Sequence, residues 1–232
     1  MSIKLITFDL DDTLWPVDDV IGRAEVVYHN FLRQQEPALF TKLGSEDLRA
    51  YRLEHLKRHP ELQHDISRWR RDSLHCQLQE EGFDEARARS LAEQAFEVFL
   101  SARQNVDLFP HAEQALAQLA DRYQLIAVTN GNADVTRMPI GRYFSAAFRA
   151  EDLKISKPAP EIFEAALEKG GVSAEQALHI GDDPFHDIEP AMALGMLTLQ
   201  ACITGKHSAT GPAFSDWRTV PELIQNLDQQ SR

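Results

Sequence analysis

Residues 3–15 read IKLITFDLDDTLW, a short apolar run closed by three carboxylates within four positions. Such a run, rich in branched and aromatic residues, reads as a strand buried on both faces, the kind found inside a parallel sheet. Asp9, Asp11 and Asp12 at the mouth of that strand repel one another, and folding alone gives no reason to gather them. The cluster points to something else that is held there.

Working outward, the chain from about residue 105 alternates short strand-like runs with amphipathic segments. Residues 124–128, 177–180 and 196–199 read as strands, with helices expected near 111–122, 160–170, 186–194 and 221–228. Pro160 suits a first helical turn, Gly170 and Gly171 suit a stop, and Ser173 with Gln176 has the spacing of a capping box. Strands alternating with helices predict an α/β fold with a doubly wound, parallel, Rossmann-like sheet. One βαβ unit takes about 30 residues and helix 111–122 already supplies the crossover, so about 90 residues, near 15–104, are surplus to the sheet. The surplus is helical in pattern: Ala88, Leu91, Ala92, Ala95, Phe96, Phe99 and Leu100 keep helical spacing, Ile66, Trp69 and Ser73 do so less cleanly, and Val27, Phe31 and Leu32 begin another face. The expected division is therefore an α/β core of residues 1–14 and 105–232 with an inserted helical cap at 15–104.

Composition narrows the function. Of 232 residues 43% are hydrophobic, enough for a sizeable core, and the formal net charge is −12, from 36 acidic against 24 basic side chains. A surface of that sign disfavours nucleic acid and anionic membranes as partners. The two cysteines, Cys76 and Cys202, have no metal-like spacing and fit a reducing compartment. With no signal-type N-terminus and no spanning segment legible, the expected location is the cytoplasm. Oligomeric state is not readable.

In a doubly wound sheet ligands bind beyond the carboxyl ends of the strands. DLDDTLW (9–15), TNGN (129–132) and GDDPFHD (181–187) each follow or end a strand, and ISKP (155–158) brings a lysine by a loop. Clustered oxygen donors with few cations favour Mg²⁺, which commonly also binds a substrate phosphate. Asp9 is placed to attack phosphorus and form an aspartyl-phosphate. Asp11 is placed to protonate the leaving alkoxide and later to take a proton from water. Thr129 and Asn130 offer hydroxyl and amide donors to the phosphate, and Lys157 neutralises developing charge.

These four motifs, in this order, resemble those of the haloacid dehalogenase-like superfamily, and the insertion resembles the subclass with a helical cap after the first motif. The resemblance implies a phosphoric monoester hydrolase acting on a small phosphorylated metabolite, with Asp9 as nucleophile and Asp11 as acid and base. It implies Mg²⁺ held by Asp9, the Asp11 main-chain carbonyl and Asp182, with Asp183 or Asp187 behind them. More narrowly, HDISRWR (64–70) together with TNGNA (129–133) is similar to bacterial phosphatases acting on FMN and on the riboflavin-pathway phosphate of a ribitylaminouracil. That makes His64, Arg68 and Trp69 candidate substrate residues, against the simpler reading of Trp69 as core of the helical segment and the other two as surface.

Three rival readings share the fold. A dehalogenase of the superfamily lacks a second acid at the position of Asp11, because halide leaves without a proton. A phosphomutase shares every core motif. A non-catalytic binding module would show a broken motif, and none is broken here. Asp12, by contrast with its neighbours, reads as a turn cap with Thr13 bonding locally.

Overall fold

The computed structural model describes residues 2–230. In chain order its elements are β1 (Leu5–Phe8), α1 (Val17–Gln35), α2 (Pro37–Phe40), α3 (Ser45–Arg58), α4 (Ile66–Glu80), α5 (Glu85–Arg103) and α6 (Ala112–Ala120). There follow β2 (Gln124–Thr129), β3 (Ala146–Arg149), α7 (Ala150–Leu153), α8 (Glu161–Gly170), β4 (Ala177–Gly181), α9 (Glu189–Ala193), β5 (Leu197–Ala201), β6 (Ala213–Phe214) and α10 (Val220–Gln230). The chain falls into two compact units, Met1–Val17 with Val106–Arg232, and Asp18–Asn105. Among the described residues no helix is long and apolar enough to cross a membrane.

The first unit is built on a parallel sheet of order β3-β2-β1-β4-β5-β6. All four residues of β1 are buried, as its unbroken apolar sequence requires of a central strand. Alternate residues of β1 serve opposite faces. Leu5 packs with Ile126, Val128, Ile162, Phe163 and Ala166 on the α8 side. Phe8 meets Phe144 edge-on at 5.8 Å and Trp217 in a stack at 6.4 Å. From β1 the chain builds the sheet outward to β3, then returns to β4 and builds the other way. The reversal falls between β1 and β4, so a crevice opens beyond their carboxyl ends.

The sheet differs from the sequence expectation at its margins. β3 and β6 carry no strand signal: Ala146 and Ala147 are weak β-formers on a half-buried edge, and β6 is two residues long. The segment expected as one helix over 186–194 is a π-helical turn, Pro184–Ile188, leading into the short α9. Ser173 and Gln176 do form reciprocal caps, but on a single 3₁₀ turn, Ala174–Gln176, that delivers the chain into β4.

The second unit is helical and has its own core. Tyr28, Leu32, Phe40, Leu74, Leu78, Leu91, Phe96 and Phe99 are all buried in one cluster. The buried stripe of α1 is Val20, Ala24, Tyr28 and Leu32, at strict four-residue spacing. Val27, expected on that face, is 44% exposed, and Phe31 only borders the core. Two arginines displace the expectation: Arg52 and Arg70 approach the Tyr28 ring at 5.9 and 5.6 Å, so the polar rim of this core begins beside Tyr28.

Candidate active site

Phe8 pairs with Ile180 across β1 and β4, so Asp9 falls opposite Gly181 and Asp182 follows one residue on, both just past the strand pairing. The Asp9 main-chain N–H continues the ladder, donating to the Ile180 carbonyl at 2.8 Å. The strand thus fixes the first carboxylate before any side chain acts. Asp9 is only 6% exposed. Its Oδ2 accepts from the Thr13 hydroxyl at 3.2 Å and its Oδ1 from the Lys157 ammonium at 2.5 Å.

Lys157 is 3% exposed and its Nζ also donates to Asp187 Oδ1 at 2.5 Å. Asp187 further accepts from the Asp183 main-chain N–H at 3.1 Å and lies 3.2 Å from His179 Nε2, while His179 Nδ1 lies 2.8 Å from the Thr7 hydroxyl. A buried polar chain therefore runs Thr7–His179–Asp187–Lys157–Asp9 from the sheet interior to the crevice. Gly181 makes it possible, since a Cβ there would lie 2.4 Å from the Asp187 carboxyl carbon.

The electrostatics follow from that chain. Burial drives the Asp9 carboxyl up to about 7, Lys157 opposing and the charges of Asp187 and Asp11 adding to it. Burial also drives Asp182 up to about 8, with help from the charges of Asp9, Asp187 and Asp12. Asp187 goes the other way: burial resists, but Lys157 and His179 hold it well below the usual carboxylate range. Lys157 itself is held above its ordinary value, because Asp187 and Asp9 outweigh the cost of burying it. His179 is pushed down by burial, against the pull of Asp187.

The remaining expected residues fall in several places. Asp9, Asp11, Asp12, Thr129, Asn130, Lys157, Asp182, Asp183 and Asp187 line one cleft of about 320 Å³. Asp11 turns its Oδ1 to the Trp15 indole N–H at 2.8 Å. Asp12, in the left-handed region at φ 59°, caps the start of α1 by accepting from the Val17 N–H at 3.0 Å. The Thr129 hydroxyl accepts from the Gly131 N–H at 3.0 Å. Asn130, expected to donate to a phosphate, lines the cleft and bonds the Lys157 main chain: Nδ2 donates to the carbonyl at 2.9 Å and Oδ1 accepts from the N–H at 2.8 Å. Asp183 is taken up by its own turn, accepting from the N–H groups of Phe185 at 2.8 Å and His186 at 3.1 Å.

The HDISRWR candidates separate. Arg68 is exposed, pairs with Asp72 at 3.0 Å and borders a different cavity from Trp69. His64 is half-buried and bonds Gln63 at 2.9 Å. Trp69 donates its indole N–H to the Arg52 carbonyl at 2.7 Å. Thr13, read only as bonding locally, bonds Asp9 four residues back, and sequence reasoning missed His179, a lone polar ring in an apolar strand. It also missed Lys206, 2.8 Å from Asp12, and His207, 3.9 Å from Asp182, which arrive on a loop with no signal of its own.

Among the described residues, Asp9, Asp182 and Asp187 each bring a carboxylate oxygen within 4.8 Å of the others. Two of these carboxyls have raised proton affinity and the group holds one lysine. Its donors are all hard oxygens, so the set fits a divalent cation.

Buried carboxylates at the switch point of a parallel sheet, one of them tied to a lysine and a hydroxyl, define a carboxylate centre on a doubly wound α/β fold. The chain belongs to the haloacid dehalogenase-like hydrolases, whose family model matches residues 3–195. It is 36% identical to the 5-amino-6-(5-phospho-D-ribitylamino)uracil phosphatase YigB of Escherichia coli, over 95% of this chain and 91% of that protein. It is 30% identical to a glyceraldehyde 3-phosphate phosphatase of Methanopyrus kandleri, over 95% and 92%. A crystal structure described as a 2-haloacid dehalogenase from Pseudomonas syringae superposes with a TM-score of 0.90 at 38% identity, covering 97% of this chain and 99% of that one.

Proposed function

We propose that this hydrolase is a Mg²⁺-dependent phosphatase that cleaves a small phosphomonoester through an aspartyl-phosphate on Asp9. The observation that carries the reading is the setting of Asp9: a buried carboxylate at a strand end, positioned by Thr13 and Lys157, with Asp11 in the same cleft. Asp9 attacks phosphorus as the bond to the ester oxygen breaks, and Asp11 gives that oxygen its proton. Asp11 then takes a proton from the water that attacks the phosphoryl group, and Asp9 is released as carboxylate. Lys157 stays charged throughout and offsets the phosphoryl charge. Asp9, Asp182 and the Asp11 main-chain carbonyl would hold Mg²⁺, which when bound screens the repulsion between carboxylate and phosphate. The phosphatase names of the E. coli and M. kandleri relatives support the ester as substrate, and the first of them favours a ribityl phosphate such as FMN or a riboflavin-pathway intermediate. In this reading the helical segment 15–104 selects the alcohol half and the enzyme works in the cytoplasm.

The dehalogenase name carried by the P. syringae structure supplies the second reading. Asp11 argues against it, because a departing halide needs no acid. A phosphate-release screen over FMN, sugar phosphates and nucleotides, with Mg²⁺ or with EDTA, tests the proposal. Release with Mg²⁺ and none in EDTA is expected; full turnover in EDTA, or halide release from 2-haloacids without phosphatase activity, would overturn it.

A further inference from the structure

We infer that Gln200 is a positioning residue for the carboxylate cleft: its one buried amide holds both the main chain of Asp182 and the loop that carries Lys206 and His207. β5 reads Leu-Thr-Leu-Gln-Ala, and a glutamine in such a strand is costly to bury unless its amide is bonded. Gln200 is 0% exposed and lies between Gly181 of β4 and Ala213 of β6 in the sheet register. Its Nε2 donates to the Asp182 carbonyl at 3.0 Å and to the Ser208 carbonyl at 3.2 Å. Its Oε1 accepts from the Thr210 N–H at 2.9 Å and from the Thr210 hydroxyl at 3.2 Å. Both donors and both lone pairs are therefore engaged. A reversed amide would set Nε2 against the Thr210 N–H and Oε1 against two carbonyls, so the partners also fix its orientation.

Both ends of this bridge reach the cleft. On one side the bonded carbonyl belongs to Asp182 itself, which steadies the backbone from which that carboxylate projects. On the other, the loop sends the Lys206 ammonium to Asp12 at 2.8 Å and brings His207 Nε2 to 3.9 Å from Asp182 and 3.8 Å from Asp183. His207 and Asp182 line the same cleft. A lysine or a carboxylate in place of Gln200 would change the charge beside it; a neutral amide holds Asp182 without doing so.

Gln200 acts in this way only if the cleft takes the divalent cation proposed above, so Mg²⁺ binding is the readout. Calorimetric titration of the full chain measures it without turnover. Gln200→Met keeps the length but removes the amide, and it should weaken Mg²⁺ binding by about ten-fold or more, as loss of a group that supports a metal ligand commonly does. Leu199→Ala, one residue away on the opposite face of β5, opens a cavity and should melt lower while leaving Mg²⁺ affinity unchanged. Should Gln200→Met fail to fold, NMR of the wild type decides: the Gln200 side-chain amide protons should exchange slowly with solvent and shift as Mg²⁺ is added. A wild type that binds no Mg²⁺ would overturn the cation reading and this role with it. Wild-type binding that Gln200→Met matches, or loses only as far as Leu199→Ala does, would overturn the role of Gln200 alone, as would amide protons that exchange freely or ignore Mg²⁺.

Discussion

Asn130 grips Lys157 by the backbone: its one side chain satisfies both the N–H, at 2.8 Å, and the carbonyl, at 2.9 Å, of a residue 27 positions away. Lys157 in turn joins Asp9 to Asp187. Asn130→Ala leaves two backbone groups without these partners, and the expected cost is about 1–3 kcal/mol of stability. Phosphate release should fall further than in a variant that merely loosens the fold equally. Thermal melting with kinetics on both variants checks this; equal losses would leave Asn130 a structural residue only.

Replacing the nucleophile separates covalent from general-base chemistry. Asp9→Asn keeps the size and the bond to Lys157 but cannot form an acyl phosphate, so turnover should drop by more than ~10³-fold. Asp11→Asn should be nearly as damaging for alkoxide leaving groups. With p-nitrophenyl phosphate, whose leaving group needs little protonation, a phosphoenzyme should accumulate in that variant. Rapid-quench labelling with ³²P detects it.

Metal removal should reverse the ranking of one variant. Asp182 has its carboxyl raised to about 8 by burial and by its acidic neighbours. Its raised affinity means the folded protein is penalised as pH climbs from the ordinary carboxylate range, the penalty becoming complete above about 8. In EDTA at mildly alkaline pH, Asp182→Asn should therefore melt higher than wild type. Adding Mg²⁺ should raise the melting temperature of wild type and scarcely move the variant. A wild type insensitive to Mg²⁺ would count against the metal site.

Gly181→Ala probes the close approach of Asp187. The new Cβ would fall 2.4 Å from the Asp187 carboxyl carbon, so the carboxylate must leave Lys157 and His179. A loss of a few kcal/mol is expected, in the range of core overpacking, with activity lost alongside. Full activity with unchanged melting would show that Asp187 does not need its observed place.

The helical unit supplies a pH test of its own. Burial works to raise Glu25, and Arg70 and Arg52 outweigh it, so the folded carboxyl lies below its ordinary 4.5. The stabilisation is complete above that value and drains as pH falls through the lowered one. The melting difference between wild type and Glu25→Gln should be flat above about pH 5 and narrow as the solution is acidified below about 4. A gap that widened on acidification would contradict the pairing.

What the sequence by itself determined is the sheet centre and the gathering of the site. IKLITFD is too apolar to lie anywhere but between two other strands, and period and punctuation place β2, β4 and β5. Once the sheet is parallel, Asp9, Thr129 and Asp182 must end at one edge, because strands of one direction finish on one side. Local pattern could go no further than that. It could not tell that Asn130 faces a lysine backbone, that Asp183 caps its own turn while Asp187 enters the carboxylate group, or that His179 backs it, since each depends on which loops meet. Nor could helical spacing tell Tyr28 from Val27 on α1, where the deciding neighbours come from α4 and α5. Arg68 and Arg70 make the same point two residues apart: on a helix that spacing turns one side chain outward to Asp72 and the other inward to Glu25, and only packing decides which.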